Sequence, residues 1–261
     1  MTKTTGWYQI AAKEHKDGDG GGHAEILIYG EIGLDFFGEG IAAEGLVKEL
    51  AELDVATLDV RINSVGGQVF EGLAIFNALD RHPAKVTTHI DGMAASIASI
   101  VALAGDEVRI AENAFMMIHN AHGIQLGNAS DMRSMAEILE KLDGSLAATY
   151  VGRTGKSEKV IRAMMDEETW FNAEEALEAG MVDTVVEAMD VAASFDLSKF
   201  RNVRPDVLER MAKAARPVEV AAMVGLEFTP DGLVDIDSDR NDPDLVQLAA
   251  EVEETLLKTL I

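Results

Sequence analysis

The chain has 261 residues, of which 48% are apolar, and its 46 acidic and 22 basic side chains give a net charge of −24. That length allows one large domain or a domain with an appendage, and the acidic surface predicts neither nucleic acid nor a membrane as a partner, because it repels their phosphates. The lack of cysteine excludes disulfides, zinc–thiolate sites and thiol catalysis. Together with the absence of a membrane-length apolar run and of a signal-peptide pattern, it predicts a cytoplasmic protein.

The first 23 residues are polar and end in KDGDGGGH, which predicts a flexible N-terminal segment. From residue 24 to residue 190, short β-type runs alternate with amphipathic runs. The predicted strands cover residues 24–32, 57–63, 84–91, 106–110, 114–119 and 181–187. The predicted helices cover residues 45–53, 69–82, about 94–104, about 130–153, 157–166 and 173–180. This alternation predicts an α/β domain with largely parallel strands.

Two glycine-rich turns each follow a predicted strand and precede a predicted helix. They are NSVGGQ at residues 63–68 and DGMAAS at residues 91–96. Since functional sites in parallel α/β sheets form at the carboxyl ends of strands, we expect these turns to lie close together. The Asn63 side chain is expected to satisfy backbone groups of the first turn.

Residues 191–261 form an acidic extension that is predicted to be largely helical. DIDSDRNDPD at residues 235–244 is typical of a solvated linker. Asp235, Asp237 and Asp239 alternate as in a calcium loop, but Arg240 occupies the position where an EF-hand needs glycine, so calcium binding is disfavoured. A last helix is predicted from Asp242, with one apolar stripe. The extension is interpreted as a scaffold-like or targeting segment, or alternatively as a helix that docks on the domain.

Ser96 and His119 are the candidate nucleophile and base. A serine needs a base to remove its proton and a third group to orient that base. His119 ends the apolar run AFMMIH at the carboxyl end of a predicted strand, and Ser96 lies near a helix start where backbone N–H groups lack intrahelical acceptors. Taken singly, each residue is better explained as structural. Together with the glycines of VGG, which let an N–H approach a substrate oxygen, they indicate acyl-transfer chemistry.

Four motifs in order carry a resemblance to a known family: RINSVGGQVFEGLAIFNAL, DGMAASIAS, MMIHNAHG and TWFNAEEALEAGMVD. Together they resemble the ClpP family of serine peptidases, and in particular its bacteriophage branch, the head maturation (prohead) proteases. The phrase RIAENAFMMIHNAHGIQLGNASDMRSMAEIL is similar to that branch. The match covers about residues 7–188.

The resemblance implies a role for each matching position. Ser96 matches the nucleophile and His119 the general base, and the N–H groups of Gly67 and Ile97 match the oxyanion hole. Glu168 matches the triad acid, although the family typically has aspartate there, and Asp166 is the alternative. No metal and no cofactor is implied.

The implied fold is the ClpP/crotonase-like spiral of ββα units with a protruding long helix, here at about residues 130–153, which mediates self-assembly into a homo-oligomer. The implied function is that of an ATP-independent serine endopeptidase. It would process scaffolding and capsid proteins, and its own tail as a further substrate, inside the assembling phage procapsid in the host cytoplasm.

Three alternatives stay open. A housekeeping ClpP-type peptidase would work with an ATP-dependent unfoldase. A crotonase-type acyl-CoA enzyme would share the spiral fold without needing Ser96 or His119. A non-catalytic shell component would keep the fold alone, since function depends on the site rather than on the fold.

Overall fold

A computed structural model describes residues 2–5, 8–13, 21–34, 40–41, 43–188, 197, 200–208, 226–229 and 232–235 of the chain. The chain divides into two compact units, residues 1–189 and residues 190–261. The strands of the first unit are β1 (Thr2–Thr5), β2 (Tyr8–Lys13), β3 (His23–Tyr29), β4 (Gly33–Leu34), β5 (Gly40–Ile41), β6 (Thr57–Ser64), β7 (Lys85–Ala95), β8 (Glu107–Ala111), β9 (Phe115–Ile118), β10 (Thr169–Asn172) and β11 (Thr184–Val186). Its helices are α1 (Glu44–Glu52), α2 (Val69–Asp80), α3 (Ile97–Ala102), α4 (Ala129–Thr154), α5 (Glu158–Asp166) and α6 (Ala173–Ala179).

The main sheet has the order β1-β2-β3-β6-β7-β8-β11, with β9 and β10 joined beside it. The strands from β3 to β11 in that order run parallel, which confirms the predicted α/β architecture. β1, β2 and β3 pair antiparallel. The sheet branches at β7: its first half pairs with β8, whereas its last three residues pair with β9.

One face of this sheet forms the core because strand side chains alternate between faces. In β3, Ala24, Ile26 and Ile28 are fully buried and the residues between them are half-buried. The equivalent residues of β6 and β7 pack in the same apolar cluster as α1, α2 and α3. The other face carries polar and charged side chains, described below.

The buried residues of the long helix α4 lie near its C-terminal end. Its first turn is closed by a capping box between Asn128 and Asp131. Leu146, Ala147 and Tyr150 are its buried residues, while the preceding turns are mostly exposed. Of the helices in the described ranges, none combines the length and the apolar character that a bilayer crossing would need.

Two sequence predictions for this unit need correction. Residues 1–23 are not flexible throughout, because Thr2–Thr5 and Tyr8–Lys13 form strands whose pairing extends the sheet, and Ile10 is buried. The helix expected at about 94–104 begins only at Ile97, because β7 continues through Ala95. Small apolar residues suit a buried strand as well as a helix, so periodicity could not place that boundary.

The second unit contains an unpredicted antiparallel pair, β12 (Leu226–Thr229) and β13 (Gly232–Asp235). Residues 205–208 are helical, within the stretch of mixed charge. Asp235 lies in β13, whereas Asp237, Asp239 and the helix predicted from Asp242 lie outside the described residues.

Candidate active site

Ser96 lies at a sharp strand-to-helix junction. The last residues of β7 pair with β9, and the Ser96 N–H donates to the Met117 carbonyl at 3.0 Å. Ser96 itself has φ 55° and ψ −131°, and α3 starts at the next residue. A positive φ is costly for a residue with a side chain and marks positions that the surrounding structure holds in place. The junction therefore presents the Ser96 hydroxyl at the carboxyl end of β7.

His119 follows β9 directly and meets Ser96. Its Nε2 lies 2.7 Å from the Ser96 Oγ, and only 8% of the residue is exposed. Because β7 and β9 are hydrogen-bonded neighbours, the sheet ladder itself sets this distance. A serine–imidazole hydrogen bond of this length is the arrangement that general-base activation requires.

The two candidate acids differ sharply in environment. Glu168 is 3% exposed, has φ 54°, and accepts a hydrogen bond from the Trp170 indole at 3.3 Å. β10 pairs antiparallel with β9, with Thr169 opposite Ile118, so continuing the register by one residue brings Glu168 opposite His119. Ser96 and Glu168 are also the two non-glycine positions with positive φ among the described residues.

Asp166 is exposed, and it accepts a hydrogen bond from the Asn120 side-chain amide at 2.7 Å. This contact holds the segment after His119 against the end of α5. Burial and register therefore favour Glu168 over Asp166 as the group that orients the imidazole.

The NSVGGQ turn lies against Ser96, as expected, although residues 91–95 of the second predicted turn belong to β7. A Cβ placed on Gly66 would lie 2.7 Å from the Ser96 Cβ and 3.2 Å from the Ile97 nitrogen. Gly67 has φ 147°, and a Cβ there would collide with the Ile32 backbone. Both glycines are therefore required by the close approach of backbones.

The turn is held by Ser64 rather than by Asn63. The Ser64 hydroxyl donates to the Gly30 carbonyl and accepts the Gly66 N–H at 3.1 Å. The Asn63 Nδ2 is buried without a hydrogen-bond partner, so the expectation that this side chain satisfies the turn was wrong. The shorter serine side chain bonds two residues ahead, as serine commonly does in turns.

Two contacts near His119 were not predicted from the sequence. The Ala121 N–H donates to the Asp143 carboxylate of α4 at 2.7 Å, which ties the loop after the histidine to the long helix. Burial raises the pKa of the Asp143 carboxyl above its ordinary value. The ring of His122 stands edge-on to the ring of His119, with centroids 5.1 Å apart. The first contact has no local signal, because it joins residues 22 positions apart, whereas His119 and His122 are three positions apart in the sequence.

The polar face of the sheet holds paired charges away from Ser96. Arg61 makes two hydrogen bonds to the buried Asp91 carboxylate, which also accepts the Tyr29 hydroxyl at 2.7 Å. Burial, reinforced by Asp91, raises the pKa of the Tyr29 phenol far above its usual range, so Tyr29 acts as a donor. His23 and His89 flank Asp59 at 3.5 and 3.2 Å. Within the described part of the chain, no group of three or more His, Asp or Glu side chains has the arrangement of a metal site.

The Clp protease family model matches residues 25–189. Two similar relatives are named ATP-dependent Clp protease proteolytic subunit 1, from Leifsonia xyli subsp. xyli (strain CTCB07) and from Protochlamydia amoebophila (strain UWE25). They are 36% identical over 129 residues and 35% identical over 133 residues, respectively. Each alignment spans 49% of this chain and covers 66% or 65% of the relative's own length.

A solved structure with a similar fold is that of a ClpP1 point mutant from Listeria monocytogenes. It superposes with a TM-score of 0.54 at 25% identity, over 63% of this chain and 91% of that chain. The family match contains β7, β9 and β10, which position Ser96, His119 and Glu168. The chain belongs to the Clp protease family.

Proposed function

We propose that the chain is a serine peptidase in which Ser96 is the nucleophile, His119 the general base and Glu168 the group that orients the imidazole. The observation that carries the proposal is the 2.7 Å hydrogen bond between the Ser96 Oγ and the His119 Nε2. The strained backbone of Ser96 and the buried carboxylate opposite His119 support it.

In the proposed reaction, the Ser96 Oγ attacks the scissile carbonyl carbon while the His119 Nε2 takes the hydroxyl proton. The imidazolium then gives that proton to the leaving amine, and a water repeats the sequence to release the acyl group. Glu168, which is buried and which the strand register brings opposite His119, is proposed to accept the Nδ1–H and to stabilise the charge that forms on the ring. No metal or cofactor takes part in these steps.

The oxyanion is assigned to the N–H groups of Gly67 and Ile97. Ile97 is the first residue of α3, where a backbone N–H has no intrahelical acceptor, and the turn at Gly66 and Gly67 lies directly against it. Donors fixed by the fold need no reorganisation as negative charge develops, which is why such pairs accelerate acyl transfer.

Two settings compete for this activity. The relatives are named proteolytic subunits of an ATP-dependent protease, which favours the setting in which the chain works with an ATP-dependent unfoldase. The processing of scaffolding and capsid proteins during phage head maturation rests on the motif resemblance alone. If the second setting holds, wild-type protein should cleave its own residues 191–261 or a capsid scaffold without ATP, and the Ser96→Ala variant should not. Cleavage of folded protein only with ATP and an unfoldase would support the first setting.

Self-assembly is proposed through the exposed part of α4 and the loop before it. Ile124 and Leu126 in the loop are 79% and 89% exposed, and Met132 and Ile138 on the helix are 42% and 47% exposed. Such apolar exposure is typical of a surface that another copy covers. Sedimentation velocity of the wild type should show an oligomer, and the double variant Met132→Glu, Ile138→Glu should shift it toward monomer. A monomeric wild type would reject the proposal.

The peptidase proposal is tested by active-site labelling with a fluorophosphonate probe and mass-spectrometric mapping. We expect modification at Ser96, and loss of labelling by orders of magnitude in His119→Ala, because the unassisted hydroxyl is a poor nucleophile. Ser64→Ala is not a suitable control because it lies in the oxyanion turn, whereas Ser145→Ala on the exposed side of α4 is. Turnover that survives in Ser96→Ala would point instead to the crotonase-type alternative.

A further inference from the structure

A second path of hydrogen bonds leads to Ser96. It starts on the long helix α4 and ends on the Ser96 backbone carbonyl. The Ser96 carbonyl accepts both the N–H of Ser99, at 3.0 Å, and the Ser99 hydroxyl, at 2.6 Å. The Ser99 hydroxyl in turn lies 2.7 Å from the Tyr150 hydroxyl of α4. Ser99 is fully buried and Tyr150 is 1% exposed, so water has no access to either group.

The number of hydroxyl protons decides which group donates in each hydrogen bond of this path. Ser99 has one hydroxyl proton, which it donates to the Ser96 carbonyl, so the Tyr150 hydroxyl must be the donor in its bond to Ser99. Burial raises the pKa of the Tyr150 phenol far above its usual range, so the phenol keeps its proton over the whole range in which proteins are stable. The chain of bonds therefore runs from Tyr150 through Ser99 to the Ser96 carbonyl.

This series of hydrogen bonds cannot carry a proton to the reaction, because it ends on a peptide carbonyl. Its effect is geometric. Ser96 has φ 55°, a conformation that a serine leaves readily unless its neighbours hold it. The Ser96 N–H is held by β9 through Met117, and its carbonyl is held by Ser99, so the backbone of the proposed nucleophile is fixed on both sides.

We propose that Ser99 and Tyr150 are positioning residues that lock the Ser96 backbone, and through it the Ser96 Oγ, in line with the His119 Nε2. This inference rests on the proposed function. It assigns to the buried end of α4 a direct part in holding the nucleophile, in addition to packing. Tyr150 is the residue by which α4 reaches Ser99, and hence the α3 turn behind Ser96.

The test compares Ser99→Ala, Tyr150→Phe and the double variant with wild type in the full chain. Tyr29→Phe is the matched control, because it also removes a tyrosine hydroxyl that donates to a buried partner, but one that lies on the Arg61–Asp91 pair. The readouts are the rate of fluorophosphonate labelling at Ser96, kcat and KM on a fluorogenic peptide, and urea unfolding. Hydrogen exchange of the peptide spanning residues 93–103 is a fourth readout that needs no activity.

Ser99→Ala should slow labelling and lower kcat about tenfold, the rate equivalent of one neutral hydrogen bond, with KM nearly unchanged. Tyr150→Phe should have a smaller effect, about threefold by the same conversion, because Ser99 keeps its bond to the carbonyl. The double variant should match Ser99→Ala in rate, because the chain is already broken at Ser99. It should be more stable than Ser99→Ala, since that single variant leaves the Tyr150 hydroxyl buried without a partner.

Labelling and kcat of Ser99→Ala within about twofold of wild type, with stability lowered, would overturn the proposal and leave the contact purely structural. Rate effects that multiply in the double variant would also overturn it, since they would mean that the two hydroxyls act separately. If wild-type Ser96 is not labelled at all, the peptidase proposal fails. The exchange experiment still decides the positioning: faster exchange at 93–103 in Ser99→Ala than in Tyr29→Phe supports it, and equal exchange refutes it.

Discussion

Changing each candidate acid to its amide gives a matched pair of variants two residues apart. Glu168→Gln keeps the size and shape of a buried side chain that is 3% exposed and receives the Trp170 indole N–H. An amide, unlike a carboxylate, can present an N–H to the imidazole. That would favour the tautomer whose Nε2 carries the proton and cannot accept one from Ser96. The expected loss of activity then comes from the wrong imidazole tautomer and from weaker stabilisation of the imidazolium, and not from altered packing.

A change of this kind in a serine triad costs roughly 10⁴ in kcat, equivalent to about 5 kcal/mol of transition-state stabilisation. Asp166→Asn should cost less than about threefold, because the carboxylate is exposed and makes one hydrogen bond, to Asn120, that an asparagine oxygen can still accept. Glu168→Asp should fall between the two, since the carboxylate is pulled back by one methylene from a backbone already fixed at φ 54°.

The assay is kcat on a fluorogenic peptide together with the rate of labelling at Ser96, with urea unfolding to confirm that each variant is folded. A large loss in Asp166→Asn combined with near-normal activity in Glu168→Gln would refute the assignment. It would mean that the register of β9 and β10 does not bring the working carboxylate to His119.

Three further predictions concern the surroundings of the site. Gly66→Ala should abolish labelling of Ser96 and destabilise the fold, because the new Cβ would lie 2.7 Å from the Ser96 Cβ at a backbone position with φ 92°; labelling at the wild-type rate would contradict the close approach. Asp91→Ala should lower the free energy of unfolding in urea by about 3–5 kcal/mol, because it removes a buried carboxylate that neutralises Arg61; a loss below about 1 kcal/mol would show that the pair is well solvated. Asp143→Asn should raise the thermal midpoint at pH 7, because burial raises the pKa of this carboxyl above its ordinary 3.8 and its ionised form therefore costs stability as pH rises through the folded-state pKa. The advantage of the asparagine should shrink as the pH falls toward about 4, and a variant less stable than wild type at pH 7 would contradict that sign.

Helices and strands with a clear hydrophobic periodicity were predictable from the sequence. The helix at 69–82 and the strand at 57–63 carry strong periodic patterns and turn signals, and the structure has α2 at Val69–Asp80 and β6 at Thr57–Ser64. The proximity of the NSVGGQ turn to Ser96 followed from the rule that parallel strands end at one edge of a sheet, although DGMAA, expected as a second turn, is the last part of β7. His119 was predictable for the same reason, since it ends a predicted strand, whereas Ser96 was singled out by its position near a predicted helix start and only the structure places it directly after β7.

The candidate acid was harder to predict from the sequence, because its position depends on a short strand that has no hydrophobic pattern of its own. β10 has four residues, and only its antiparallel register with β9, continued by one residue, places Glu168 opposite His119. The positive φ of Ser96 has no sequence signal, because serine is compatible with many backbone conformations. The contact between Ser99 and Tyr150 joins residues 51 positions apart, which no local pattern can reveal.

The branching of the sheet at β7 has a consequence for how this chemistry can vary. The first part of β7 pairs with β8 in the wide parallel sheet, and its last three residues pair with β9, which pairs in turn with β10. Ser96, His119 and Glu168, the proposed nucleophile, base and acid, each directly follow or precede a rung of that ladder, so their spacing depends on it. Loops elsewhere can lengthen, and the outer strands can acquire new partners, without altering the spacing of the three groups. The surface that contacts a substrate can therefore diversify while the reacting atoms keep their alignment.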